Sequence, residues 1–125
     1  MYCFSSLAEF SILRESIKEG LMKNCGKDAL AVFIAINESV NNAIFHGNKE
    51  DNSKNVYLII EKMPNGIKIV IRDEGRGFLN REIPNTSDWL EEHGRGFAII
   101  QHCVDSYRLN KMGNEITLIK KTKVA

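Results

Sequence analysis

The hydrophobic period of this chain switches from helical to strand spacing after its first third, and that switch points to a layered fold of helices on a sheet. Over the first third, apolar residues recur every three or four positions: Phe10, Leu13, Ile17 and Leu21, then Leu30, Phe33, Ile34, Val40 and Ile44. Such spacing buries one stripe of a helix. From Val56 the period becomes two, with Ile67, Ile69 and Ile71 alternating with Lys68, Val70 and Arg72, as on a strand with two unlike faces. Ser6 with Glu9 three residues on reads as a capping box that opens the first helix. Asn24 to Lys27, with Gly26 inside, breaks that helix. The second starts with Asp28 as N-cap and runs to about Phe45 or His46, where Gly47 suits a stop. Pro64-Asn65-Gly66 predicts a hairpin turn that tolerates positive φ.

After Asp73 the pattern is irregular through about His93. A third, short helix fits Gly96 to about Val104. Tyr107 to Lys111 and Glu115 to Lys121 predict a closing hairpin around Met112-Gly113-Asn114. The order ααββαββ implies an α+β, two-layer sandwich, with helices on one face of a mixed, mostly antiparallel sheet. The chain begins abruptly, leaving little for a strand ahead of the first helix. At 125 residues and 43% apolar, residues 1–125 are expected to form one domain.

Charge and cysteine content exclude several classes. Seventeen basic against 16 acidic residues give a formal net charge of +1, with no electrostatic footprint for nucleic acid or an anionic membrane. No apolar run approaches the roughly 18 residues of a membrane span, and the first residues lack the pattern of a signal peptide. Cys3, Cys25 and Cys103 form no metal-ligand spacing, so reduced thiols in a cytoplasmic protein are expected.

Three segments carry the chemistry. In Glu38-Ser39-Val40-Asn41-Asn42-Ala43-Ile44-Phe45-His46-Gly47, Glu38 and Asn42 stand four apart and share a helix face. A carboxylate and an amide oxygen aimed together suit positioning water and binding a hard cation such as Mg²⁺; the alternative is a solvated face. In Asp73-Glu74-Gly75-Arg76-Gly77-Phe78, alternate glycines let backbone approach a ligand, and the Asp73 carboxylate suits a hydrogen bond from a base amine; the alternative is a tight acidic loop. Gly94-Arg95-Gly96-Phe97 opens the third helix with free N–H groups, and Arg95 adds a charged fork for the same anion; the alternative is a flexible helix start. It matches neither a Walker A sequence nor a Rossmann fingerprint.

The order of these segments, over nearly the whole chain, resembles the GHKL ATP-binding fold of gyrase-type ATPases and histidine kinases. Within that fold it is most similar to the bacterial anti-sigma-factor serine/threonine kinases. Their helix motif, E-x-x-x-N-A-x-x-H-G, is matched by Glu38, Asn42, Ala43, His46 and Gly47. The resemblance implies ATP and Mg²⁺ as cofactors, with Asn42 a ligand of the metal and Glu38 the general base for an attacking hydroxyl. It implies that Asp73 bonds the adenine amino group, and that Gly75, Gly77 and Phe78 lie along the base. Gly94, Arg95, Gly96 and Phe97 would close over the phosphates, and Thr117 would bond near adenine. His46 enters the nucleotide-binding set through the motif, although its place inside a helix gives it, like His102, a structural role.

The resemblance further implies a kinase that phosphorylates a serine or threonine of a STAS-type anti-sigma-factor antagonist, sequesters a sigma factor and forms a homodimer. A module that binds ATP and switches partners without phosphotransfer is the alternative, and a pure interaction domain is a third. About 125 residues leave no room for the dimerisation helices of a two-component histidine kinase or the transducer of gyrase-like ATPases. Leu79 to His93 would form the lid, where Trp89 either packs the lid onto the body or contacts a partner.

Overall fold

The structure is a computed structural model, and it describes residues 1–75 and 96–122. A short strand β1 (Tyr2–Phe4) leads into helix α1 (Leu7–Cys25), then a 3-10 turn (Gly26–Asp28) and helix α2 (Ala29–Asn42). A π-helical turn (Ala43–Gly47) extends α2. Strands β2 (Val56–Met63) and β3 (Gly66–Arg72) follow, then helix α3 (residues 96–103), β4 (Ser106–Leu109) and β5 (Glu115–Lys121). The sheet order is β1-β2-β3-β5-β4, and every pairing is antiparallel. No helix among the described residues is long and apolar enough to cross a membrane.

One core joins the layers. Phe10, Ile17 and Leu21 of α1, Val32, Ile36 and Val40 of α2, and Ile100 of α3 are buried with Leu58, Ile67, Ile69, Ile71, Ile116 and Leu118 of the sheet. Alternation then sends Ile59, Val70 and Thr117 to the opposite face. The predicted stripe of α2 is corrected at two positions. Leu30 is 69% and Ile34 39% exposed, because Ala29, Val32, Phe33 and Ile36 turn the helix the other way.

The leading strand, for which the sequence leaves little room, is present. Tyr2, Cys3 and Phe4 pair with Leu58, Tyr57 and Val56, and the Phe4 ring packs 5.1 Å from that of Phe10. The cap of α1 is the expected one with a shift. The Ser6 hydroxyl accepts from the Glu9 N–H at 3.2 Å, while the Glu9 carboxylate accepts from the N–H and hydroxyl of Ser5, at 2.7 and 2.6 Å, not from Ser6.

The β2–β3 hairpin turns where expected. Met63 pairs with Gly66, leaving a two-residue loop of Pro64 and Asn65, and neither it nor Gly66 has positive φ. Gly66 is required for another reason: a Cβ there would lie 2.2 Å from the Lys120 carbonyl oxygen on β5. The closing turn uses Gly113 at φ 75° and the Asn110 side chain. Its Oδ1 accepts from the N–H groups of Asn114 and Glu115, at 3.0 and 3.2 Å.

Candidate functional site

Glu38 and Asn42 occupy the last turns of α2, and the π-helical turn begins directly after them. Such widened turns recur at functional sites because they re-aim the residues that follow. Here the turn brings Gly47 against the end of β3. A Cβ on Gly47 would lie 2.2 Å from Asp73 Oδ2, and one on Gly75 would lie 1.9 Å from the Gly47 carbonyl oxygen. Any side chain at either position would displace the Asp73 carboxylate or the backbone. Gly47 reads in sequence as a helix stop, whereas it serves this close approach.

Asp73 is 6% exposed. Its N–H donates to the Asn114 carbonyl at 2.9 Å, and its Oδ1 accepts from the Gly75 N–H at 2.7 Å. Burial pushes its carboxyl up from 3.8 to about 6, against the opposing pull of the Gly75 N–H and of Lys54. A desolvated acceptor of this kind gains most from a ligand donor that reaches it.

The third segment meets the first. A Cβ on Gly96, at the described start of α3, would lie 3.3 Å from Asn42 Nδ2, 3.6 Å from Asn42 Oδ1 and 3.7 Å from Glu38 Oε2. Segments more than fifty positions apart in sequence thus converge, as their order predicts. Beside this point lies a small cleft, whose wall includes Asn42, Ile71, Asp73, Phe97, Asn114 and Ile116. The Phe97 ring stacks on Tyr107 with centroids 5.8 Å apart.

Not every predicted residue reaches this cleft. Thr117 alternates with Ile116 and Leu118, which are buried under the helices. Its side chain therefore points to the opposite face of the sheet, level with Val70 and Arg108, and it does not line the described cleft. A one-residue step along a strand reverses the face. His46 is half-buried in the π-helical turn, outside the described wall of the cleft. Gly77, Phe78, Gly94, Arg95 and the predicted lid with Trp89 lie outside the described residues. Sequence reasoning missed Asn48 and Asn114, buried polar residues at 2% and 8% exposure that hold the Asp73 turn. Both look like ordinary loop asparagines, and the partners that tie them to this turn, Glu74 for Asn48 and Asp73 for Asn114, are distant in sequence.

The donor set fits a purine nucleotide with its divalent cation. A buried carboxylate and an amide share one cleft wall, with two close-packed glycines beside the carboxylate and a helix start facing the amide and Glu38. Among the described residues no group of three or more His, Cys, Asp or Glu side chains comes together. A hard cation here would therefore take most of its oxygens from the ligand's phosphates and water, with Asn42 Oδ1 and Glu38 the protein oxygens at hand.

Comparison with known proteins agrees with this geometry. A family model described as a histidine kinase-like ATPase domain matches residues 7–120. The chain is also similar to proteins named anti-sigma F factor. That of Anoxybacillus flavithermus is 32% identical over 93 residues, that of Bacillus licheniformis 33% and that of Bacillus subtilis 31% over the same length. The aligned stretches take in 70%, 68% and 70% of this chain, and 64% of the length of each relative. With the match covering all but the first and last few residues, the chain belongs to the histidine kinase-like ATPase domain family.

Proposed function

We propose that this chain is an ATP-binding regulatory serine/threonine protein kinase. In this reading it phosphorylates a serine or threonine of a STAS-type anti-sigma-factor antagonist and sequesters a sigma factor when that antagonist is unavailable. The observation that carries the reading is the meeting of α3 with the Glu38–Asn42 pair, with Asn42 sharing a cleft wall with the buried Asp73. The anti-sigma F factor relatives supply the choice of partners. Residues 1–125 would act as one cytoplasmic ATP-binding domain, assembled as a homodimer.

Bound ATP and Mg²⁺ supply the transferable phosphoryl group and neutralise its charge. The chain's own residues bind and orient. Asp73 accepts a hydrogen bond from the base amine, and Gly47 and Gly75 leave space for it. Asn42 Oδ1 is the protein ligand for the cation. The Glu38 carboxylate would take the proton of the attacking hydroxyl as the new oxygen–phosphorus bond forms and the bond from the γ-phosphorus to the departing ADP oxygen breaks. Phosphoryl transfer needs positioning and charge compensation more than covalent help, and this site offers both.

Thermal stability with ATP, with and without Mg²⁺, tests the reading. Nucleotide at about a hundred times its dissociation constant adds about 2.7 kcal/mol of stability. The Mg²⁺-dependent part of that gain is expected to vanish in Asn42→Ala. Glu38→Gln is expected to keep the gain but lose phosphorylation of the antagonist by at least about a hundredfold, the scale of a removed general base. An unchanged transfer rate in Glu38→Gln refutes the assigned base. Nucleotide binding with no transfer by the wild type, across candidate antagonists, identifies a partner switch that is not a kinase.

A further inference from the structure

We infer that Asn48 is a positioning residue for base recognition, its side-chain amide locking the Asp73–Gly75 turn against the end of the Glu38–Gly47 helix motif. The inference rests on the proposed role of Asp73 as the acceptor for the base amine. Asn48 is 2% exposed, and all four of its polar functions are used. Its N–H donates to the Ala43 carbonyl at 2.8 Å, closing the π-helical turn, and its carbonyl accepts from the Asp51 N–H at 3.0 Å. Its side-chain Oδ1 accepts from the Glu74 N–H at 2.8 Å, and Nδ2 donates to the Asn55 carbonyl at 3.0 Å. The Asn55 N–H in turn donates to the Glu74 carboxylate. Three bonds thus form a closed ring joining Asn48, Asn55 and Glu74.

The ring sits where tolerance is smallest. Asn48 follows Gly47 directly, and Glu74 stands between Asp73 and Gly75. The bond from Glu74 to Asn48 therefore sets how closely these three residues approach, at contacts that already exclude a Cβ. A single planar group must accept on one side and donate on the other, which asparagine does and aspartate or leucine does not. The chain also bears strain to place it. Lys49 and Glu50, immediately after Asn48, both take positive φ, 53° and 61°, a conformation that costs roughly 1 kcal/mol or more per non-glycine residue. The bonds from the Glu50 N–H to the Ile44 carbonyl and from the Asp51 N–H to the Asn48 carbonyl hold that geometry. Strain of this kind persists where surrounding structure over-determines it, and such places cluster at ligand sites.

Binding of ATP and of inosine triphosphate tests the inference, because inosine carries an oxygen in place of the amino group that Asp73 would recognise. The quantity read is the ratio of the two dissociation constants. Wild type is expected to prefer ATP. Asn48→Ala is expected to shrink the preference about tenfold, the value of one net hydrogen bond, chiefly by weakening ATP. A merely structural role would weaken both nucleotides alike and leave the ratio unchanged. Glu74→Ala, at an exposed residue, removes one leg of the ring and is expected to shrink the ratio about threefold; it decides the matter if Asn48→Ala does not fold. A wild-type ratio in these variants, with the ratio lost in Asp73→Asn, overturns the inference. A wild type without preference for ATP refutes the base reading of Asp73, and the role of Asn48 falls with it.

Discussion

The two ends of the cleft are built on different terms. At the Asp73 end the carboxylate is buried and the turn around it is bonded: Asp73 to Asn114 and Gly75, the Glu74 N–H to Asn48, with two glycines packed closer than any side chain permits. At the Glu38–Asn42 end the two side chains are half-buried and bond to no other described side chain or backbone group. A Cβ at the α3 start would lie 3.3 Å from the tip of the Asn42 amide, against 1.9 and 2.2 Å at the Asp73 end. Choosing a base by one hydrogen bond requires that the acceptor be fixed before the ligand arrives, since an acceptor that must first be ordered returns part of its gain. Gathering phosphates, a cation and a second protein's hydroxyl requires room and adjustable oxygens. On the proposed reading, rigidity at one end and latitude at the other follow from what each end would hold.

The largest effect expected from that contrast is at Gly75. Gly75→Ala puts a methyl group 1.9 Å from the Gly47 carbonyl oxygen, backbone against backbone with no flexible side chain to yield. The cost should reach about 3 kcal/mol, the upper range for overpacking, lowering the melting temperature on the order of 10 °C. Stabilisation by ATP should disappear. A melting temperature and ATP response like those of wild type would mean that this end adjusts freely, and the contrast would be lost.

Asp73→Asn sharpens the comparison because stability and binding move in opposite directions. The folded carboxyl titrates near 6 against 3.8 as its reference value, with burial as the main cause. The folded state therefore holds the proton more tightly than the unfolded chain does. Stability from this group is full below the unfolded value and is lost as pH rises through about 6, so at neutral pH the ionised carboxylate is a liability on the order of 3 kcal/mol. Asparagine avoids that charge. Without ligand the variant should be the more stable protein at about pH 7.5, with an advantage that shrinks as pH falls through 6 in urea melts. Its preference for ATP over inosine triphosphate should be lost. For wild type, ATP affinity should weaken below about pH 6, where the protonated carboxyl no longer serves as a pure acceptor. An advantage for Asp73→Asn that does not vary with pH would remove burial of the charge as its origin.

What the sequence disclosed divides along the same line. At the open end the shared face of Glu38 and Asn42 was legible because they stand four apart on one helix, while the roles expected of them came from the family motif. Gly96 followed from the order of segments. The rigid end was legible only at Asp73 and Gly75. Its other parts, Asn48, Asn114 and the close-packing role of Gly47, depend on contacts made after the chain has folded, and an asparagine in a loop carries no mark of a partner more than twenty residues away. The same limit hid β1, whose three residues are too few to show a period and which is defined by pairing with β2. It also misplaced Thr117, which the likeness to relatives put near the base and which alternation along β5 turns to the other face. At Leu30 and Ile34 apolar identity was mistaken for burial, an inference that runs only one way.

The smallest effect is expected where the same substitution is made at the open end. Gly96→Ala introduces a methyl group 3.3 Å from Asn42 Nδ2, tighter than usual but against the tip of an amide that can swing by a few tenths of an ångström. Gly96 has no positive φ, so alanine meets no backbone penalty there. Inside a helix alanine is favoured over glycine by about 0.5 to 1 kcal/mol, which offsets the crowding. The melting temperature of the free protein should hold or rise slightly. The cost should appear in the ligand instead: a displaced Asn42 oxygen weakens Mg²⁺-dependent ATP binding by about threefold, while ADP without metal binds as before. Titration of both nucleotides against both glycine variants separates the two ends directly. If Gly96→Ala unfolds the protein as Gly75→Ala is expected to, the Glu38–Asn42 end is as tightly built as the Asp73 end, and the division of labour along the cleft has to be given up.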